Sequence, residues 1–104
     1  MRLSDMKTAG EVLAEDLRDP EVREEWERTA LAREVANRVV AYRAEHHLSQ
    51  EELGRLLGIS QPAVARIEAG EHEPSLLRLK QLSRCLDMEF HIDITQQGLT
   101  LATA

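Results

Sequence analysis

The chain has 104 residues, 42% of them hydrophobic and 31% charged, which suits one soluble domain with one modest core. Its net charge of −6, from 13 basic and 19 acidic residues, runs against the basic footprint expected of a nucleic-acid binder. No apolar run approaches the ~20 residues that span a bilayer, Met1 to Asp5 lacks a leader's apolar stretch, and the lone Cys85 excludes an internal disulfide, so a cytoplasmic protein with no membrane partner is expected.

With only Trp26, Tyr42 and Phe90 as aromatics, the core must be built from Leu, Val, Ile and Ala, and the abundance of Leu, Glu, Ala and Arg favours packed helices. Thr8 followed by Glu11 has capping-box spacing and predicts a short helix from Ala9 to Leu17. Asp19-Pro20 is a second start, a capping carboxylate before a proline at the first helical position. Nothing then breaks the helix until about His46. Val22, Trp26, Ala30, Val35, Val39 and Tyr42 recur at mostly helical spacing. A helix of that length would reach ~39 Å, so it either bends near Thr29 or projects its first half.

Ser49 with Glu52 opens a helix that ends at Leu57 before Gly58, and Ser60 opens another, with Pro62 in its first turn, that stops at Ala69-Gly70. Pro74-Ser75 starts a further helix with Leu76, Leu79, Leu82 and Leu86 on one stripe, and Cys85 is expected to be a small buried hydrophobe. After Leu86 the period becomes two. Phe90, Ile92 and Ile94 alternate with polar residues as in a half-buried strand, and Gln96-Gln97-Gly98 can turn the chain into a second strand, Leu99-Thr100-Leu101.

The segment Leu48 to Glu68 meets several requirements of two steeply crossing helices at once. Gly54 offers a small residue at the crossing, Gly58 admits a left-handed backbone at the turn, and Leu53, Leu57, Ile59, Val64 and Ile67 lock both helices to a core. Leu48 to Gly70, with Glu73-Pro74-Ser75 after it, resembles the Cro/C1 (XRE) helix-turn-helix of phage repressors and bacterial regulators. The resemblance implies a mainly α fold, with a five-helix core from about Val35 to Leu86. It implies that Gln50 and Ser60 meet phosphate backbone and that Gln61, Pro62, Ala65 and Arg66 face the major groove of double-stranded DNA. It also implies that Arg43 pairs with Glu68. Gln and Arg suit these positions, since each can make paired hydrogen bonds to a base edge. A homodimer on a palindromic operator would read two half-sites about 34 Å apart. Gly54 departs from the alanine more usual in the family.

Residues 1–31 and 88–104 flank this domain (32–87). The stretch Lys7 to Pro20 with Trp26, and the strand Glu89 to Ile94, resemble HigA-type antitoxins. That likeness implies an acidic helical arm that binds and blocks a basic RelE/HigB-like mRNA-cleaving toxin through Val12, Leu13, Leu17, Val22 and Trp26. It further implies a C-terminal strand or hairpin that dimerises through Phe90, Ile92 and Ile94, in a protein that represses its own operon. The alternative is a stand-alone dimeric XRE-family repressor. The arm can instead pack on its own core, against Leu56, and the strand can form a private hairpin. Enzymatic chemistry is not expected. His46, His47, His72 and His91 lack metal-ligand spacing, there is no phosphate loop or paired nucleophile, and no cofactor or metal is implied.

Overall fold

The computed structural model describes residues 8–96 and 98–101. Lys7 in the arm motif and Gln97 in the turn therefore lie outside the described residues, as do the outermost ends of the two flanks. Six helices precede a two-stranded hairpin.

Helix α1 (Ala9–Asp16) begins with the expected box: Glu11 N–H donates to Thr8 Oγ1 at 3.1 Å, and the Glu11 carboxylate accepts from Thr8 N–H at 3.4 Å. Helix α2 (Pro20–Arg28) is capped by Asp19, whose carboxylate accepts from Glu21 N–H at 2.9 Å. The long helix divides at Thr29, and α3 runs from Ala30 to Glu45. Side chains explain the break. Thr29 Oγ1 donates to Glu25 O at 3.1 Å, a back-bond that bends helices. Arg33 donates to Trp26 O at 2.7 Å, the acceptor that a continuous helix would offer to Ala30 N–H, and to Thr29 Oγ1 at 2.6 Å. Its guanidinium carbon lies 3.3 Å from the centroid of the Trp26 ring.

Helices α4 (Gln50–Leu57), α5 (Gln61–Ala69) and α6 (Leu76–Leu86) complete the helical set, capped by Ser49, Ser60 and Ser75 as their sequences predict. Four helices, α3 to α6, thus fill the span in which the resemblance implies five, because residues 71–75 link α5 to α6 without a helix. The core is aliphatic: Leu31, Val35 and Val39 of α3 meet Leu53 and Leu57 of α4, Val64 of α5, and Leu79, Leu82 and Leu86 of α6. Two expectations on α6 fail. Leu76 is 66% exposed and Cys85 is exposed. At ~100° per residue both sit about 90° from the centre of the Leu79–Leu82–Leu86 stripe, on opposite flanks of it.

Strands β1 (Ile92–Thr95) and β2 (Gly98–Leu101) pair antiparallel, with Ile92 opposite Leu101 and Ile94 opposite Leu99. A hairpin this small is marginal in isolation. It holds here because Leu101 enters the core, with 7% exposure, and because Arg38 of α3 donates to Glu89 O with its guanidinium 5.3 Å from the Phe90 ring. Phe90 precedes the strand and is half-buried with Ile92, whereas Ile94, one pair from the turn, is 78% exposed, so the half-buried pattern does not extend to it.

The arm contributes nothing to this core. Neither α1 nor α2 has a buried residue, and Leu56, half exposed, is not covered by them. The Cα radius of gyration is 16.2 Å, against ~13 Å for a compact chain of this length.

Candidate nucleic-acid interface

Helices α4 and α5 are joined by Gly58, Ile59 and Ser60. Gly58 takes φ 71°, a conformation that strains a residue with a side chain. Gly54 lies where the chain crosses α4. A methyl group placed there would meet Ile59 O at 2.6 Å, and Gly54 O accepts from Ile59 N–H at 2.9 Å. The expectation of a small residue at this point becomes a stricter one, since the turn backbone leaves no room even for alanine.

Val64 is fully buried and fixes which side of α5 faces the core. Gln61, Pro62, Ala65 and Arg66 fall within an arc of ~140° on the other side. Pro62 and Arg66 are exposed there, and Gln61 and Ala65 half-buried. Ser60 is exposed at the same end, its hydroxyl accepting from Ala63 N–H at 3.2 Å. Arg66 makes no hydrogen bond or ion pair with any described residue and is the one cation of α5.

A polar chain holds this surface in place. The Arg43 guanidinium donates through Nε and Nη2 to the two Glu68 carboxylate oxygens, both at 2.8 Å, and through Nη1 to Leu48 O at 3.1 Å. The Glu68 carboxylate, 8% exposed in this pair, also accepts from Gln50 Nε2 at 3.3 Å, and Gln50 Oε1 accepts from Gln61 Nε2 at 2.7 Å. Thus α3, the start of α4 and both ends of α5 are bonded through four side chains. The hydrogen bonds to Glu68 raise the Arg43 pKa above its ordinary value, and the Ser49 backbone N–H, followed by the Ser49 hydroxyl, lowers that of Glu52. Neutralising Glu68 in this way removes an acid from the side of α5 and leaves Arg66 as its exposed charge.

The Arg43–Glu68 pair is as the resemblance implies. The two bonds that Gln50 makes were not anticipated. They join residues 11 and 18 positions apart, and nothing local in the sequence signals them. The same holds for Gln81, which donates to Leu57 O and so ties the end of α4 to α6. Of the residues proposed for a toxin, Val12, Val22 and Trp26 are exposed and Leu13 and Leu17 half-buried, all on the arm and remote from α5 in the order of elements.

The model of the helix-turn-helix family matches residues 39–91, half of the chain. An uncharacterized HTH-type transcriptional regulator of Methanocaldococcus jannaschii is 45% identical over 42 residues, 40% of this chain and 64% of that protein, so the match spans just under two thirds of the archaeal relative. An uncharacterized HTH-type transcriptional regulator of Bacillus subtilis is 38% identical over 55 residues, 53% of this chain and 83% of its own length. No solved structure matches the chain. With its two capped helices, three-residue turn and aliphatic lock, the chain belongs to the XRE-type helix-turn-helix family of transcriptional regulators.

Proposed function

We propose that the protein is a sequence-specific DNA-binding regulator that places α5 in the major groove and binds a palindromic operator as a homodimer. Its main support is the arc of Gln61, Pro62, Ala65 and Arg66, turned away from the core while Gln61 is braced on Gln50. With one amide hydrogen given to Gln50, Gln61 retains a donor and an acceptor for the edge of an adenine, and Arg66 offers a fork to guanine. Pro62 and Ala65 shape the surface and can meet a thymine methyl. Gln50 and Ser60, at the starts of α4 and α5, lie where first-turn N–H groups are free to meet phosphate. The chain's low positive charge makes nonspecific attachment weak, so most affinity must come from this surface. No helix among the described residues is long and apolar enough to cross a membrane.

Selection from random duplexes with the full chain tests the reading. The expected result is a short motif in two inverted copies about one helical turn apart, with Gln61→Ala and Arg66→Ala each relaxing one position of the motif. Equal enrichment by the doubly substituted protein would overturn it.

The arm favours a second role beside the first. Residues 8–29 carry eight carboxylates against three arginines, net −5, with Val12, Val22 and Trp26 exposed among them. Such a surface complements a basic protein, and we infer that the chain acts as the antitoxin of a RelE/HigB-like mRNA-cleaving toxin, with Leu13 and Leu17 completing the apolar contact. The stand-alone repressor is the alternative. Co-expression with the product of the adjacent reading frame decides between them: a retained small basic protein whose RNA cleavage is silenced supports the antitoxin, and an adjacent product that neither binds nor cleaves leaves the stand-alone repressor.

A further inference from the structure

The chain carries both halves of a complementary pair of surfaces. One is the arm, acidic and without a buried residue. The other is the outer side of α6. This helix has three cations, Arg78, Lys80 and Arg84, and no acid. Leu76, Lys80 and Arg84 follow at four-residue spacing along one line, an apolar end and then two charges. Between that line and the hairpin lies a groove of about 430 Å³, walled by Leu76, Leu79, Lys80 and Arg84 on α6 and by Phe90 and Ile92 on the other side.

The apolar and acidic positions of α2 alternate in the corresponding way. Val22 and Trp26 are one turn apart, Glu21 and Glu25 form a second line about 100° round the helix, and the Glu25 carboxylate also accepts from Arg28 Nη1 at 2.7 Å. At 1.5 Å per residue α2 is ~13 Å long and α6 ~16 Å, so one can lie along the other. Val22 and Trp26 on α2, and Leu76, Lys80 and Arg84 on α6, are exposed in this structure. The arm is also kept from folding back on its own domain. A single residue, Thr29, separates α2 from α3, and Arg33 locks that elbow through Trp26 O, Thr29 Oγ1 and the face of the Trp26 ring.

We propose that the arm of one copy docks in the groove between α6 and β1 of a second copy, reciprocally about a two-fold axis. Val22 and the uncovered part of Trp26 meet Leu76, Phe90 and Ile92, while Glu21 and Glu25 face Lys80 and Arg84, so this contact and the toxin contact proposed above exclude one another. The charge match decides the occupant. Two chains of net −6 repel in general, so a second copy associates only where the signs are opposed locally, as they are here. The interface rests on no assumption about DNA. It deepens the homodimer reading by naming its contacts, and it enlists two of the strand residues, Phe90 and Ile92, as part of a groove.

Trp26 is the single tryptophan of the chain and reports directly on the contact. The experiment follows its emission and the sedimentation mass of the full-length protein over a concentration series at low salt. Dimerisation with a blue shift of Trp26 is expected, weakening as salt rises. Lys80→Glu with Arg84→Glu should weaken the dimer by at least about tenfold and abolish the shift. Adding Glu21→Lys and Glu25→Lys to that variant should restore both, with far-ultraviolet circular dichroism unchanged throughout. A chain that stays monomeric overturns the proposal. So does a dimer in which Trp26 emission does not change, or one indifferent to both charge reversals. Loss of sequence-specific DNA binding with the dimer intact would instead count against the DNA reading alone.

Discussion

The side-chain amide of Gln61 donates a 2.7 Å hydrogen bond to that of Gln50, joining the first residues of α4 and α5. In a DNA complex this bond aims Gln61 before it meets a base, so the two residues should act as one unit. Gln61→Ala is expected to weaken binding to the preferred duplex by about 1–3 kcal/mol and Gln50→Ala by less. The double variant should lose less than the sum, with a coupling of at least ~0.5 kcal/mol. Anisotropy titrations of the four proteins give the cycle, and strictly additive losses would mean that the amides work separately.

Arg43 holds Glu68 in a two-pronged pair whose carboxylate is 8% exposed while the guanidinium is 26% exposed. Removing the guanidinium leaves that carboxylate with Gln50 as its remaining hydrogen-bond partner among the described residues. Arg43→Met should therefore cost about 3 kcal/mol, the lower end of the range for breaking a buried pair, because water reaches the vacated side. Arg43→Lys should recover only part of this, since an ammonium cannot match both oxygens at once. Urea unfolding measures both, and a lysine variant as stable as the parent would show that the fork contributes nothing.

Gly54→Ala sets two effects against each other. Helix propensity improves by about 1 kcal/mol. The new methyl group would stand 2.6 Å from Ile59 O, and the turn backbone must shift to relieve it. Overpacking of this kind costs about 1–3 kcal/mol, so the expected net change is a loss of stability, seen as a lower thermal midpoint. A raised midpoint would show that the turn yields readily.

Glu52 accepts from Ser49 N–H at 3.0 Å, and this bond holds its carboxyl below the ordinary value of 4.5. A depressed acid contributes stability that is present above its unfolded-state pKa and lost as pH falls through its folded one. The advantage of the parent protein over Glu52→Gln should be largest near neutral pH and should shrink below pH ~4. Paired thermal melts across that interval test it, and a gap that does not change with pH would remove the carboxylate from the account.

Much of the local architecture was legible in the sequence because its causes are local. Thr8, Asp19, Ser49, Ser60 and Ser75 each cap the helix that follows within three residues, and the change of period after Leu86 marks the hairpin. The α4–α5 turn was readable for the same reason. Gly58, the two caps and the apolar positions are a pattern of near neighbours.

Tertiary contact decided the rest. The sequence from Glu21 to His46 left open a bend near Thr29 or a projecting first half; the structure breaks the helix at Thr29, where Arg33 reaches back seven residues to Trp26. Strand periodicity could not say that Ile94 would overrun the core while Leu101 entered it, because that depends on how the hairpin lies against α3. Likewise the identity of Gln50 and Gln61 announces hydrogen-bonding capacity but not direction. Only the crossing of α4 over α5 brings the two amides within 2.7 Å and turns a pair of polar residues into one braced surface.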